Sequence, residues 1–293
     1  MREFKLDTTS AWPESPEVSA LPDERLLRQQ DARHRVVERR QLVRKFRQAL
    51  ALNELSLYFR PVVRLSTRAL YGVEAQLRLH HARRGLIPAE HLVARLESAE
   101  LVADISRWML RTLVQQMDFL PAEMAVAMAV APSYLHGVGL SDHLFKCLHQ
   151  SGIEPSRLHL LVPESVLVKE TKNAEFNLKI AKNLGVKLVL DNFGADYGGL
   201  VSLKRFGFSA LRLNRDLALR LEDGDKAMAQ IEAAVTVGQV VGCDIWADGI
   251  DDKRGYERLS HAGIDAAQGM FLGDAAPIQE FAGLTSEARN KMQ

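Results

Sequence analysis

Short apolar runs alternate with amphipathic stretches along most of this chain. Strand-length runs rich in Leu, Val, Ile and Phe fall at 57–65, 70–79, 125–131, 158–162, 187–193, 210–213, 244–247 and 267–271. Stretches with helical spacing of apolar positions lie between most of them, at 89–98, 104–117, 142–151, 173–184, 226–241 and 253–262. Strands alternating with helices predict a parallel sheet, and eight of them predict a TIM-like (β/α)8 barrel in the α/β class. The first two runs are separated only by Ser66, Thr67, Arg68 and Ala69. That gap is too short for a parallel crossover, so the first strand is expected to be antiparallel and the barrel modified accordingly.

Ahead of the barrel the pattern differs. Residues 1–22 hold Pro13, Pro16 and Pro22 without periodicity and read as a disordered tail. From Asp23 and Glu24, acidic residues suited to a first helical turn, an N-terminal helical extension is expected. It carries Arg25, Arg28, Arg33, Arg35, Arg39, Arg40, Arg44 and Arg47. Val36, Val43 and Leu50 recur at heptad spacing with Phe46 between them. A solvated lead-in helix, a short coiled coil and a basic contact surface all fit that pattern, and Phe46 and Leu50 could equally pack on the barrel. The expected organisation is a tail at 1–22, an arginine-rich helical extension at 23–41, the barrel at 42–284 and a second tail at 285–293.

Composition narrows the class. A 47% hydrophobic chain of 293 residues can bury a sizeable core. A net charge of +1 gives no global reason to expect nucleic acid as a partner. Cys147 and Cys243 alone do not imply a disulfide framework. No apolar run approaches the roughly 20 residues of a membrane span, and no apolar stretch follows Arg2 and Lys5 as a secretory signal requires. A cytoplasmic location is the expectation.

Candidate chemistry sits at strand ends, where α/β barrels place it. Glu74, Asp191, Asn192, Asp248 and Gln268 all lie at or near the ends of the strand runs. Any one alone reads equally well as a cap or a solvated loop group. Their recurrence points to one shared mouth. The chain has no Gly-x-Ser-x-Gly, no P-loop and no His-Glu-x-x-His. His80 and His81 are adjacent, face opposite sides of a strand, and read as edge residues rather than chelators. Trp108 and Met109 read as core.

An ordered set of segments resembles the EAL domain, the bacterial domain that hydrolyses cyclic di-GMP. Leu57-Tyr58-Phe59-Arg60-Pro61-Val62-Val63 is similar to its opening strand, and Gly72-Val73-Glu74-Ala75-Gln76-Leu77-Arg78 to its signature, with Gln76 for the signature leucine. Pro88-Ala89-Glu90, Asp191-Asn192-Phe193-Gly194-Ala195-Asp196-Tyr197, Leu211-Arg212-Leu213-Asn214-Arg215, Ala247-Asp248-Gly249-Ile250 and Gln268-Gly269 follow in the family's order.

The resemblance implies a site built for two divalent cations, with hard oxygen ligands close together. Glu74, Asp191 and Gln268 are retained, and Glu164 matches a glutamate that braces the Asp191 loop. Four positions are replaced: Ala129 for an asparagine, Leu161 for a glutamate, Asn192 for an aspartate and Arg212 for the catalytic lysine. Asp248 shortens a glutamate by one methylene. The expected metal ligands reduce to Glu74, Asp191 and Asp248, enough for at most one weakly held Mg²⁺, so no cofactor is expected. Arg60, Glu74, Arg78, Asp191 and Gln268 are the expected nucleotide-binding residues, with Arg78 on a phosphate and Arg60 near guanine. The closing loop carries Asp274 and Ala275 where an Arg-Pro type pair is usual.

The expected function is a catalytically degenerate EAL-domain regulator in bacterial signalling, with cyclic di-GMP and a partner protein as candidate partners and a homodimer possible. The alternative is a weak, metal-dependent cyclic di-GMP phosphodiesterase. No nucleic-acid partner and no membrane span are expected.

Overall fold

The computed structural model describes residues 24–96, 99–169, 171–194, 203, 205–219 and 225–282, with side chains from Glu38 onward except at 218–226. The expected tails and residues 195–200 of the Asp191 loop, with Asp196, Tyr197, Gly198 and Gly199, lie outside the described residues.

The strands appear where alternation and β-branched content placed them. They are β1 (Leu55–Arg64), β2 (Leu70–His81), β3 (Gly85–Pro88), β4 (Ala125–Ala129), β5 (Leu158–Pro163), β6 (Lys187–Phe193), β7 (Ala210–Leu213), β8 (Asp244–Asp248) and β9 (Ala266–Gln268). The helices are α1 (Glu24–Ala51), α2 (Glu90–Ala94), α3 (Ala99–Gln116), α4 (Pro132–His136), α5 (Leu140–Ser151), α6 (Glu164–Val168), α7 (Lys172–Asn183), α8 (Arg215–Leu219), α9 (Asp225–Val241) and α10 (Lys253–His261). The sheet order is β1-β9-β8-β7-β6-β5-β4-β2-β3, and an additional β1–β2 pairing closes eight strands into a barrel. β1 runs antiparallel to both β2 and β9, while the pairs from β2–β4 round to β8–β9 are parallel.

Three differences from the sequence reading have local causes. β3 was not foreseen, because four residues are too few to show alternation; it pairs outside the barrel with the far end of β2. β4 stops at Ala129 rather than 131 because Pro132, which has no N–H to continue a ladder, starts α4 just beyond it. β9 ends at Gln268, and Met270 and Phe271 beyond it are exposed. His80 and His81 end β2 on its β3 edge, where His80 bonds Ser56 Oγ at 3.1 Å. Trp108 and Met109 are only partly buried, packed against the core from outside.

Two glycines allow close strand approach. A Cβ on Gly72 would lie 2.4 Å from the Ala125 carbonyl oxygen, at the β2–β4 contact. A Cβ on Gly269 would lie 2.1 Å from the Ile250 carbonyl oxygen. That second approach lets the Gln268 carbonyl accept from both Gly249 N–H and Ile250 N–H at 3.1 Å, holding the ends of β8 and β9 together.

Two compact units divide at Gln41 and Leu42. Within the second, Phe46 and Ala49 are fully buried, and Leu42, Val43 and Leu50 pack against the same core. The last turns of α1 therefore belong to the barrel, and Val43, Phe46 and Leu50 are not available as a coiled-coil seam. Val36 lies outside the described side chains.

Truncating a fully buried phenylalanine costs about 3–5 kcal/mol, so Phe46→Ala is expected to lower the thermal midpoint sharply. Deleting residues 1–40 is expected to leave the midpoint nearly unchanged. Circular-dichroism melts check both; a deletion that unfolds the barrel would show that the extension contributes to the core.

Candidate functional site at the barrel mouth

The mouth is built by alternation on β1 and β2. In that antiparallel ladder Arg60 lies opposite Glu74, Tyr58 opposite Gln76 and Ser56 opposite Arg78. Directly opposed residues share a face, so Arg60, Glu74, Gln76 and Arg78 lie together, while Leu55, Leu57 and Phe59 go to the apolar side. Around the barrel, β6 supplies Asp191, β7 Arg212, β8 Asp248 and β9 Gln268. Asp248 and Gln268 are direct partners in the β8–β9 ladder.

Arg212 is the centre of this cluster. Its Nε and Nη2 donate to the two oxygens of Asp191 at 2.7 and 2.9 Å, a bidentate fork. Its Nη1 donates to Glu74 Oε2. All three side chains are at most 11% exposed. Burial opposes the guanidinium charge, but Glu74 and Asp191, with the hydrogen bonds from Arg212 to Asp191, hold its pKa above the ordinary arginine value. Burial pushes the Glu74 carboxyl up; Arg212 and a hydrogen bond from Gln268 pull it down, and Asp248 and Asp191 push it up again. Arg212 stays charged, because arginine does not give up its proton in proteins.

Two buried oxygens at the mouth stay without a hydrogen-bond partner, Asp248 Oδ1 and Gln268 Oε1, as does Arg60 Nε. Glu164 Oε2 accepts from Gly194 N–H at 3.1 Å, so it does brace the turn after Asp191. Asn192 is exposed at φ +59°, a left-handed conformation that asparagine tolerates well. Ala129 is exposed and offers no donor atom. Leu161 is fully buried, in an apolar layer with Val62, Ala127, Val189, Ala210, Trp246 and Ala266.

Arg78 is held within the chain. Its Nη2 donates to Gln76 Oε1 at 2.7 Å and its Nη1 to Glu90 Oε1 at 3.2 Å, while its guanidinium lies 5.7 Å from the Tyr58 ring centroid. Gln76 and Glu90 were not among the sequence candidates. The signal was there in Gln76, a polar residue where the resembling motif carries leucine.

A closed barrel with an antiparallel first strand and a carboxylate-rich mouth defines a class of α/β-barrel domain. Residues 43–275 match the family model for the EAL domain, and the chain belongs to that family. It is 30% identical over 247 residues to the bifunctional diguanylate cyclase/cyclic di-GMP phosphodiesterase MucR of Pseudomonas aeruginosa, covering 83% of this chain and 36% of that protein. The chain spans about a third of the length of the first curated relatives it matches. The solved structure of the PaMucR phosphodiesterase in complex with c-di-GMP is similar at a TM-score of 0.77 and 30% identity, over 82% of this chain and 99% of that one. The Xanthomonas citri FimX EAL domain, solved in complex with c-diGMP, shares the fold at a TM-score of 0.73 and 22% identity, over 84% of this chain and 97% of that one.

Removing the cation leaves two buried carboxylates facing each other. Breaking such a pair costs about 3–5 kcal/mol, so Arg212→Met is expected to be destabilised by that amount at neutral pH. The Glu74 pKa is already raised by burial and rises further without Arg212. A raised carboxyl binds its proton more tightly folded than unfolded, so stability falls as pH rises through the shifted value. The variant is therefore expected to recover stability as pH is lowered toward the ordinary carboxylate range. Thermal melts against pH measure this; a flat profile would contradict it.

Proposed function

We propose that this chain is a catalytically silent EAL domain that binds cyclic di-GMP without metal and passes that state to a partner protein. The observation that carries this reading is Arg212, whose guanidinium occupies oxygens of both Glu74 and Asp191. A guanidinium has donors only and cannot ligate a cation. The same oxygens are those a pair of divalent cations would need, and Ala129 and Leu161 supply none in their place. The donor set does not fit a two-metal centre, which depends on clamping both the attacking and the leaving oxygen.

Retained binding is supported by the mouth's remaining polar atoms. Arg60 faces it from β1, and Asp248 Oδ1 and Gln268 Oε1 are buried there without a hydrogen-bond partner. Arg78 reaches a phosphate by exchanging its ion pair with Glu90, which is 37% exposed. A protein partner and a bacterial signalling role follow from the family rather than from any surface described above.

A weak phosphodiesterase with one cation is the second reading, favoured by those same two unpartnered oxygens beside Glu74 and Asp191.

Calorimetry and product analysis decide between them. Cyclic di-GMP is expected to bind equally in EDTA and in Mg²⁺, with no linear product. Arg78→Ala is expected to weaken binding about tenfold or more, while Glu90→Gln, which removes the ion pair on Arg78, does not weaken it. Multiple turnovers in Mg²⁺ or Mn²⁺ that Glu74→Ala abolishes would overturn the silent reading in favour of the second. An absence of binding under both conditions would leave a protein-interaction module without a nucleotide.

A further inference from the structure

Gln76 stands between Glu74 and Arg78 on β2. Alternation puts these three side chains on one face of the strand, while Val73, Ala75, Leu77 and Leu79 go to the apolar core on the other. Across the β1–β2 ladder Gln76 lies opposite Tyr58 and Arg78 opposite Ser56. The amide of Gln76 is engaged at one end only, by Arg78.

That single contact fixes which way round the amide sits. An amide accepts at its oxygen and donates at its nitrogen, and its partners decide the orientation. A guanidinium carries donors only. Arg78 Nη2 lies 2.7 Å from the Gln76 side chain, so the atom facing it has to be the oxygen, Oε1. The nitrogen, Nε2, is turned away from Arg78 with both of its N–H groups. Among the described residues Nε2 meets no acceptor, and it is not one of the buried atoms sealed from solvent. Gln76 as a whole is half-buried. It is therefore a donor aimed by the arginine beside it and open to solvent.

The surroundings narrow what that donor receives. Arg78 Nη1 donates to the Leu77 carbonyl at 3.1 Å and to Glu90 Oε1 at 3.2 Å, and the guanidinium lies 5.7 Å from the Tyr58 ring centroid. An anion that displaces Glu90 from Nη1 leaves the Gln76 bond on Nη2 in place, so the guanidinium keeps its position. Such an anion arrives beside the amide. The neighbouring carboxylates, Glu74 and Glu90, are each paired with an arginine. A phosphate group offers several acceptor oxygens on one centre, and amide side chains join arginine in contacting such groups. Leucine, which the resembling motif carries at this position, has no donor to offer.

We propose that Gln76 is a second phosphate-contacting residue of the mouth, donating from Nε2–H to one oxygen of a phosphate whose other oxygen Arg78 takes. The assignment rests on the reading that cyclic di-GMP binds at this mouth.

The test titrates the full chain with cyclic di-GMP in EDTA and follows backbone amide signals, which report weak as well as tight binding. Gln76→Met and Gln76→Leu both remove the amide at similar volume, and whichever keeps the wild-type melt decides. Affinity is expected to fall about tenfold. The same substitution is then made on Arg78→Ala. A direct contact predicts a several-fold loss that persists in that background, whereas a residue that only positions Arg78 would lose its effect there. No binding by the wild type would overturn the nucleotide reading and this assignment together. Wild-type binding with unchanged affinity in a folded Gln76 variant, or a loss that vanishes once Arg78 is gone, would overturn this assignment alone.

Discussion

The mouth of this barrel depends on one buried interaction, the guanidinium of Arg212 held between Glu74 and Asp191. Three carboxylates, Glu74, Asp191 and Asp248, converge on a site with little solvent, and like charges there repel strongly. Something cationic has to stand among them. The family resemblance implies that metal ions play that part in active relatives. Here the chain supplies the charge itself, from β7, and the fork geometry of arginine lets it bind one carboxylate through two bonds and the next through a third. The interaction spans β2, β6 and β7, which are not all neighbours in the sheet, so it also braces the barrel across its opening.

Below that charged layer the interior changes character. Leu161 and its neighbours Val62, Ala127, Val189 and Ala266 form a dry layer. The Leu161 side chain packs in an apolar layer beneath the mouth. A glutamate restored at this position would have to be buried in that layer. Arg212 neutralises the carboxylates of the mouth, and Leu161 keeps the floor beneath them apolar.

Further along the axis, small residues at Ala125 and Ala210 leave room, and the rings of Tyr71, His159 and Trp246 line it. Ala210 and Trp246 belong to the apolar layer as well, and Tyr71 packs against it, so this end is continuous with that layer. Side chains at one end of a barrel can vary without disturbing the other, since the fold does not dictate the site.

Much of the architecture was legible along the chain because strand alternation and helical periodicity are local properties. The eight barrel strands, the antiparallel start and the strand-end positions of Glu74, Asp191, Asp248 and Gln268 all follow from residues within a few positions of one another. β3 was not legible, since four residues carry no period, and the burial of Phe46 in the barrel core was one reading among several, since a heptad spacing does not name its partner. At the site, it could be read directly that Ala129 and Leu161 carry no side-chain oxygen. Which contacts Glu74 and Asp191 make could not. Glu74 and Arg212 are 138 positions apart, and Arg78 met Gln76 and Glu90 only because β2 and the turn into α2 fold together. Residue types set which charges and rings were available. Only the closure of the barrel decided which of them would share a few ångströms of buried space, because hydrogen bonds and ion pairs act over distances that sequence separation does not measure.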